Sequence, residues 1–348
     1  MEFLLLAAAF VIILVGAELF TNGIEWFGRK LELAEGAVGS VLAAVGTALP
    51  ETMIPIVAII FGTSAGSHGI GVGAILGAPF MLATLAMFVT AVAVLFRARR
   101  RPEGDVMPVD SKVLAHDMRY FFVGYAVAIG VAFLPSNVPF AHPIAAVVLL
   151  GIYAWYVKAH FEADPDVDAE DLAPLRFRKL DPAHRDEPKE PRLRVVNLQV
   201  LAALACIIGG AVVFVGAVET IAHDFGVDPR LLALVVAPIA TELPEKFNSI
   251  IWIRQGKDTL AMGNITGAMV FQATIPTVVA LLFAGEAWAI GPGSYTAFAS
   301  AGIAFLSSAA IFIPMARRGQ LRGRMLLVGG AFYLIYLAIV VTVILGGR

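Results

Sequence analysis

Apolar positions in this chain gather into long continuous runs separated by short polar connections. A helix that crosses a bilayer needs about 20 apolar residues. Ten runs approach or exceed that length: residues 3–28, 36–61, 69–96, 119–135, 141–159, 195–223, 230–253, 259–284, 294–315 and 323–346. The fourth is the shortest and ends at Pro135. No run alternates apolar and polar residues over about ten positions, which argues against an outer-membrane barrel. The first run has no basic leading segment and continues through Glu18 and Glu25, so it reads as a span and not as a cleaved signal peptide.

The polar positions set the expected orientation. Of 25 Lys and Arg, 22 lie in the connections that follow odd-numbered runs. The even connections hold Arg230, the C-terminus holds Arg348, and Lys246 lies inside a run. The excess of cations places the odd connections in the cytoplasm and both termini outside, in a plasma or inner membrane. Residues 161–194 contain 17 charged residues in 34 positions, with five prolines, and read as a cytoplasmic linker. It divides a first repeat, 1–160, from a second, 195–348, with five spans each. Because five is odd, the second half enters the membrane in the opposite sense. The expected fold is an all-α polytopic membrane protein with ten transmembrane helices as two inverted five-helix repeats, an architecture of secondary transporters.

Composition narrows the function classes. Hydrophobic residues make up 59% of the 348, charged residues 15%, and the mean hydropathy is +0.83. Soluble domains average about 45–50% apolar and about 25% charged. A net charge of −2 offers no basic surplus for nucleic acid, and one cysteine, Cys206, excludes an intrachain disulfide framework. There is no H-E-x-x-H, and no enzymatic activity and no cofactor are expected. The expected partners are the lipid bilayer and inorganic cations, with no obligate protein partner.

The halves repeat each other in sequence. Val15-Gly16-Ala17 matches Val215-Gly216-Ala217. Gly46-Thr47-Ala48-Leu49-Pro50-Glu51 matches Ala240-Thr241-Glu242-Leu243-Pro244-Glu245. Gly73-Ala74-Ile75-Leu76-Gly77-Ala78 matches Gly263-Asn264-Ile265-Thr266-Gly267-Ala268. A proline inside a helix removes one backbone hydrogen bond, so Pro50 and Pro244 are expected to kink their spans and free nearby carbonyls. Bound cations are one partner for such groups in a wet cavity. Glu51 and Glu245 fall near mid-span, where a charge costs about 2.5–3.5 kcal/mol on insertion scales. With Thr47 and Thr241 they form a set of hard oxygen ligands suited to Ca2+. The bland alternative is a kink with a snorkelling carboxylate. The G-x-x-x-G pairs at Gly73 and Gly263 suit close helix approach more than ligation. Asn264 and Gln272, read as sharing one helix face, could add side-chain oxygens.

At these motifs the chain resembles the calcium:cation antiporter superfamily, which includes the sodium/calcium exchangers. Members carry G-T-S-x-P-E followed by G-N-x-x-G-S-N in each repeat. Carried over by position, the resemblance implies that Glu51, Glu245, Thr47 and Thr241 surround a central Ca2+, with Glu51 and Glu245 as its metal ligands. The departures are Ala48 and Glu242 for the two serines of the first motif. Ala74, Ala78, Pro79 and Leu82 replace polar residues in span three, and Ala268 and Met269 do so in span eight. The later acidic position is Gln272, as in the proton-coupled members. Much of the set that would hold several Na+ ions is therefore replaced.

The resulting expectation is a secondary antiporter that moves a divalent cation, most of all Ca2+, in exchange for H+ or Na+ by alternating access. A cation channel, or an antiporter for Na+, K+ or Mg2+, is the alternative. Glu242, Lys246, Asn248, Asn264 and Gln272 are accessory or coupling candidates. Glu242 and Lys246 stand i, i+4 with the acid first, the favourable order for a helical pair, which would leave the site the two charges of Glu51 and Glu245. Glu18 and Glu219, in or near spans, read more readily as inter-helix ties than as functional groups.

Overall fold

A computed structural model describes residues 2–30, 48–62, 65–134, 138, 140–163, 174–180, 191–234, 249–250, 252–254, 256, 258–291 and 293–346. Helix α1 spans Glu2–Lys30 and α2 spans Leu49–Ile60. Helix α3, Ala65–Met81, continues through a π-helical turn, Leu82–Ala86, into α4, Met87–Arg97. There follow α5 (Ser111–Val131), α6 (Ala141–Ala163), α7 (Leu193–Phe225), α8 (Asp258–Phe283), α9 (Tyr295–Arg318) and α10 (Gly323–Gly346). Val106–Met107 and Leu321–Arg322 pair as a short antiparallel ribbon that ties two connections together.

Among the described residues, seven helices are long and apolar enough to cross a membrane: 2–20, 66–100, 141–159, 193–225, 261–283, 295–318 and 323–343. The other three runs differ for separate reasons. The second is described from residue 48 onward, and the seventh only at 230–234, 249–250 and 252–253. The fourth is a helix from Ser111, eight residues before the apolar run, to Val131, four residues before the run ends. Asp110 sets that start, its carboxylate accepting from the Lys112 and Val113 N–H groups at 2.8 and 3.3 Å. Such a cap is worth about 1 kcal/mol. Helix α7 stops at Gly226, whose φ of 62° is open to glycine at little cost, and Val227 N–H closes on the Ala222 carbonyl at 2.9 Å.

Helices α1 and α7 lie against each other through a reciprocal contact. A Cβ on Gly16 would meet Ile207 at 2.8 Å and the Ala203 carbonyl at 3.1 Å; one on Gly210 would meet Ile13 at 2.8 Å and the Ala9 carbonyl at 3.2 Å. The partner number falls as the residue number rises, so the helices are antiparallel. Residues 9, 13 and 16 thus correspond to 203, 207 and 210, a spacing of 194 that also separates Glu51 from Glu245. No described atom lies within 4 Å of a Cβ on Gly216, so that Val-Gly-Ala match is not the one that packs.

The remaining helices share one buried core that runs through α3, the π turn, α5, α6, α8, α9 and α10, while α1, α2 and α7 contribute a second cluster with Ile70 and Ala74. Large apolar side chains on α1 and α7, such as Leu4, Val11, Leu201 and Val212, remain exposed, as a lipid-facing surface requires.

Gly73 is the tightest of the described helix contacts. A Cβ there would stand 2.1 Å from the Arg230 carbonyl oxygen, which is backbone and cannot rotate away. Gly73→Val is expected to lower stability by at least about 1–3 kcal/mol, as overpacking does. Gly302, with no described atom within 4 Å of its Cβ position, is the control, and Gly302→Ala should leave the thermal midpoint of detergent-purified protein unchanged.

Candidate cation site

Helix α2 places Glu51. Ala48 turns at its N-cap with φ −86° and ψ 4°, the helix starts at Leu49, and Pro50 falls in its first turn. A proline there removes no intrahelical hydrogen bond. The expectation of a kink at Pro50 inside a continuous span is therefore corrected: Pro50 opens a helix. The Ala48 carbonyl accepts from the Thr52 N–H at 3.2 Å and from the Thr52 hydroxyl at 2.7 Å. Glu51 stands in the first turn and is 5% exposed. The aligned peptide dipoles of α2 favour negative charge at that end.

The proline inside α2 is Pro55. It offers no N–H to the Glu51 carbonyl four residues before it. Helix α8 has the same spacing, since Pro276 offers none to the Gln272 carbonyl. Gln272 is 1% exposed, and neither its amide oxygen nor its nitrogen has a hydrogen-bond partner. Helix α8 packs on both α2 and α3, so the two helices with a proline four residues after a candidate ligand lie together. A proline at i+4 from Glu51 and from Gln272 is visible in the sequence and was passed over.

Asn264 is half-buried on α8. Eight residues is two turns and about 80°, so Asn264 and Gln272 occupy adjacent faces and not one face. Gly73 does sit in close helix approach, whereas no described atom lies within 4 Å of a Cβ on Gly263, and Gly267 faces the Tyr156 hydroxyl at 3.4 Å. Ala74, Ala78, Leu82 and Ala268, at positions that are polar in the resembled pattern, are buried. Glu18 pairs with Arg176 at 2.6 Å and Glu219 accepts from the Ser67 hydroxyl at 2.6 Å, so each ties two segments together. Thr47, Thr241, Glu242, Glu245, Lys246 and Asn248 lie outside the described residues. Among the described residues, no three His, Cys, Asp or Glu side chains gather as a metal cluster.

The sodium/calcium exchanger protein family matches residues 1–160 and 196–345. The chain belongs to that family. CaxA of Alkalimonas amylolytica, a protein designated an antiporter, is 26% identical over 325 residues, covering 90% of this chain and 89% of its own. The inner membrane protein YrbG of Escherichia coli is 26% identical over 271 residues, covering 74% and 72%. Two solved structures share the fold. The H+/Ca2+ exchanger CAX has a TM-score of 0.68 at 15% identity, over 97% of this chain and 81% of that one. The sodium-calcium exchanger NCX_Mj has a TM-score of 0.57 at 16% identity, over 97% of each. The protein is thus a multi-pass membrane protein of an exchanger family.

The unpartnered Gln272 amide yields a test that separates stability from function. Removing both unsatisfied groups together is close to neutral or favourable for folding. Gln272→Leu should keep or raise the thermal midpoint while weakening the stabilisation conferred by added cation, both read in one melting series with and without Ca2+.

Proposed function

We propose that the chain is a secondary antiporter that exchanges Ca2+ for H+ by alternating access. The observation that carries the reading is Glu51: a carboxylate in the first turn of a helix, buried, on an element packed against the helix that holds Gln272. Glu245, 194 positions on, is the matching residue of the second half, and Thr47 and Thr241 complete the oxygen set. The reciprocal contact of α1 and α7 supports two inverted five-helix repeats, 1–160 and 195–348, joined by the linker 161–194. On that reading the pseudo-two-fold axis brings Glu51 and Glu245 within reach of one ion, and both termini lie outside.

The coupling ion follows from charge. Two glutamates confined in one cavity repel, so without a cation at least one holds a proton near neutral pH. A divalent ion displaces it, which is proton exchange. Apolar Ala74, Ala78, Leu82 and Ala268 leave few side-chain ligands for additional Na+.

Proteoliposomes with separately imposed gradients test this. Ca2+ uptake is expected to follow a pH gradient and to ignore a Na+ gradient at clamped pH; the reverse result assigns Na+ as the coupling ion. Glu51→Gln or Glu245→Gln is expected to abolish exchange with expression intact. Flux without any counter-gradient would make the protein a channel.

Lys246 is proposed to neutralise Glu242 one turn before it. Glu242→Gln combined with Lys246→Met should then lose less transport than either change alone, because each single change leaves a lone charge in the membrane at about 3 kcal/mol. Simply additive losses would place the Lys246 ammonium in the cavity itself.

A further inference from the structure

Helix α5 carries a buried carboxylate that the exchange site does not use. Asp117 is 1% exposed. Its Oδ1 accepts from the Tyr156 hydroxyl of α6 at 3.2 Å, and its Oδ2 lies 2.5 Å from the Thr266 hydroxyl of α8. It makes no ion pair with any described cation. From α6 the titratable residues are His142, Tyr153, Tyr156, Lys158, His160 and Glu162; from α8, Asp258; and α9 carries such groups only at its ends, Tyr295, Arg317 and Arg318. On α5 itself, Lys112 and Arg119 are exposed, and half-buried His116 stacks on Tyr120, which stacks on Tyr156. An ionised carboxylate enclosed without a cation is costly, and taking up a proton removes the cost.

The Thr266 hydroxyl shows how both states are accommodated. It has one hydrogen but three acceptors in range, Asp117 Oδ2 at 2.5 Å, the Met262 carbonyl at 3.1 Å and the Gly263 carbonyl at 3.4 Å. If Asp117 is ionised, Tyr156 and Thr266 both donate to it. If Oδ2 binds a proton, that O–H donates to Thr266, and the Thr266 hydrogen turns to the Met262 carbonyl of its own helix. No group is stranded in either state. Packing does not demand this arrangement, because Leu76, the residue matching Thr266 when Gly73 is set against Gly263, is apolar and fully buried.

We propose that Asp117 is a second proton-binding site, distinct from Glu51 and Glu245, whose occupancy is relayed through Thr266 to the helix that carries Asn264 and Gln272. Thr266 is two residues from Asn264, about 200° around α8, so the relay acts from behind the cation site. The proton comes from water at the His116 end of α5 and returns there; charge at Asp117 changes from −1 to 0 on binding. The role deepens the antiporter reading and rests on it for transport, though proton binding itself does not.

Two measurements on the full chain test it separately. Infrared difference spectra of the purified protein between acid and alkaline buffer should contain a carboxylic acid C=O band that disappears in Asp117→Asn and persists in Glu51→Gln. Tyr156→Phe removes one donor to the ionised form and should move that band's onset to higher pH; it also keeps the test open if Asp117→Asn does not fold. In proteoliposomes, Asp117→Asn should still exchange cations, with the midpoint of its pH profile displaced by about one unit or more, a tenfold change in proton concentration. An Asp117 that only ties α5 to α8 would give no such band, and flux would fall by one factor at every pH. Either a band indifferent to Asp117→Asn and Tyr156→Phe, or a flux profile of unchanged shape, overturns the proposal. If wild-type protein exchanges no cation, the antiporter reading fails while the infrared result still decides whether Asp117 binds a proton.

Discussion

In hydrocarbon no water stands ready to satisfy a backbone N–H or carbonyl, so each helix must close its own hydrogen bonds or borrow a partner from a neighbour. The fold follows from that constraint. Most of the chain satisfies it with long uninterrupted helices, and the interruptions are few. Pro55, Pro79 and Pro276 lie inside α2, α3 and α8, three helices that pack on one another, and Pro314 lies near the last turn of α9. Past Pro79 the helix widens into a π turn, and there the Ser307 hydroxyl of α9 serves the Ala83 carbonyl at 2.6 Å. Among the described residues, the π turn stands where a neighbouring helix can answer it, and two of the proline-bearing helices, α2 and α8, bear candidate ligands.

The α1–α7 contact explains how a pair of long helices can stand apart from that core. Two glycines, each facing the other helix's isoleucine, let the backbones approach while leaving most of the outer surface apolar. Polar links to the rest are local: the Arg176 amide and Phe177 amide of the linker donate to Asn22 and Gln199 at 3.0 and 2.8 Å, and Ser67 meets Glu219. The pair also shares an apolar cluster with α2 and α3, where Ile13 and Phe214 gather with Ile54, Ile70 and Ala74.

Much of this was legible in the sequence, for physical reasons that differ by element. Hydropathy located the long helices because twenty apolar residues have few other uses. It misplaced the fourth, since Lys112, Asp117 and Arg119 sit in a helix whose start is fixed by a cap at Asp110 and not by apolarity. The motif containing Glu51 was readable, but its proline was assigned to a helix interior when it occupies a first turn. The register of α1 against α7 was not legible, because a matching triplet does not say which glycine faces the neighbouring backbone. Asp117 was invisible as a site, because nothing in its local sequence says that Tyr156 and Thr266 will close on it.

What distinguishes a functional polar residue here from a tolerated one is whether its own helix can satisfy it. Thr52, Thr84, Thr274 and Thr342 each turn their hydroxyl onto the carbonyl four residues back, at 2.6–2.8 Å. Such a residue needs nothing from its surroundings and carries little functional weight. Glutamine is different: its amide oxygen needs a donor and its nitrogen an acceptor, and a helix whose N–H groups are already bonded offers the oxygen none. Gln272 is buried with both ends unmet among the described residues, and the Thr277 hydroxyl of the same helix is buried without a partner as well. Asp117 stands between these cases, since it borrows hydroxyls from two other helices, one of which can return to its own backbone when a proton arrives. The same test, applied along α8, leaves Gln272 and Thr277 without a partner among the described residues and shows Thr266 within reach of more than one acceptor.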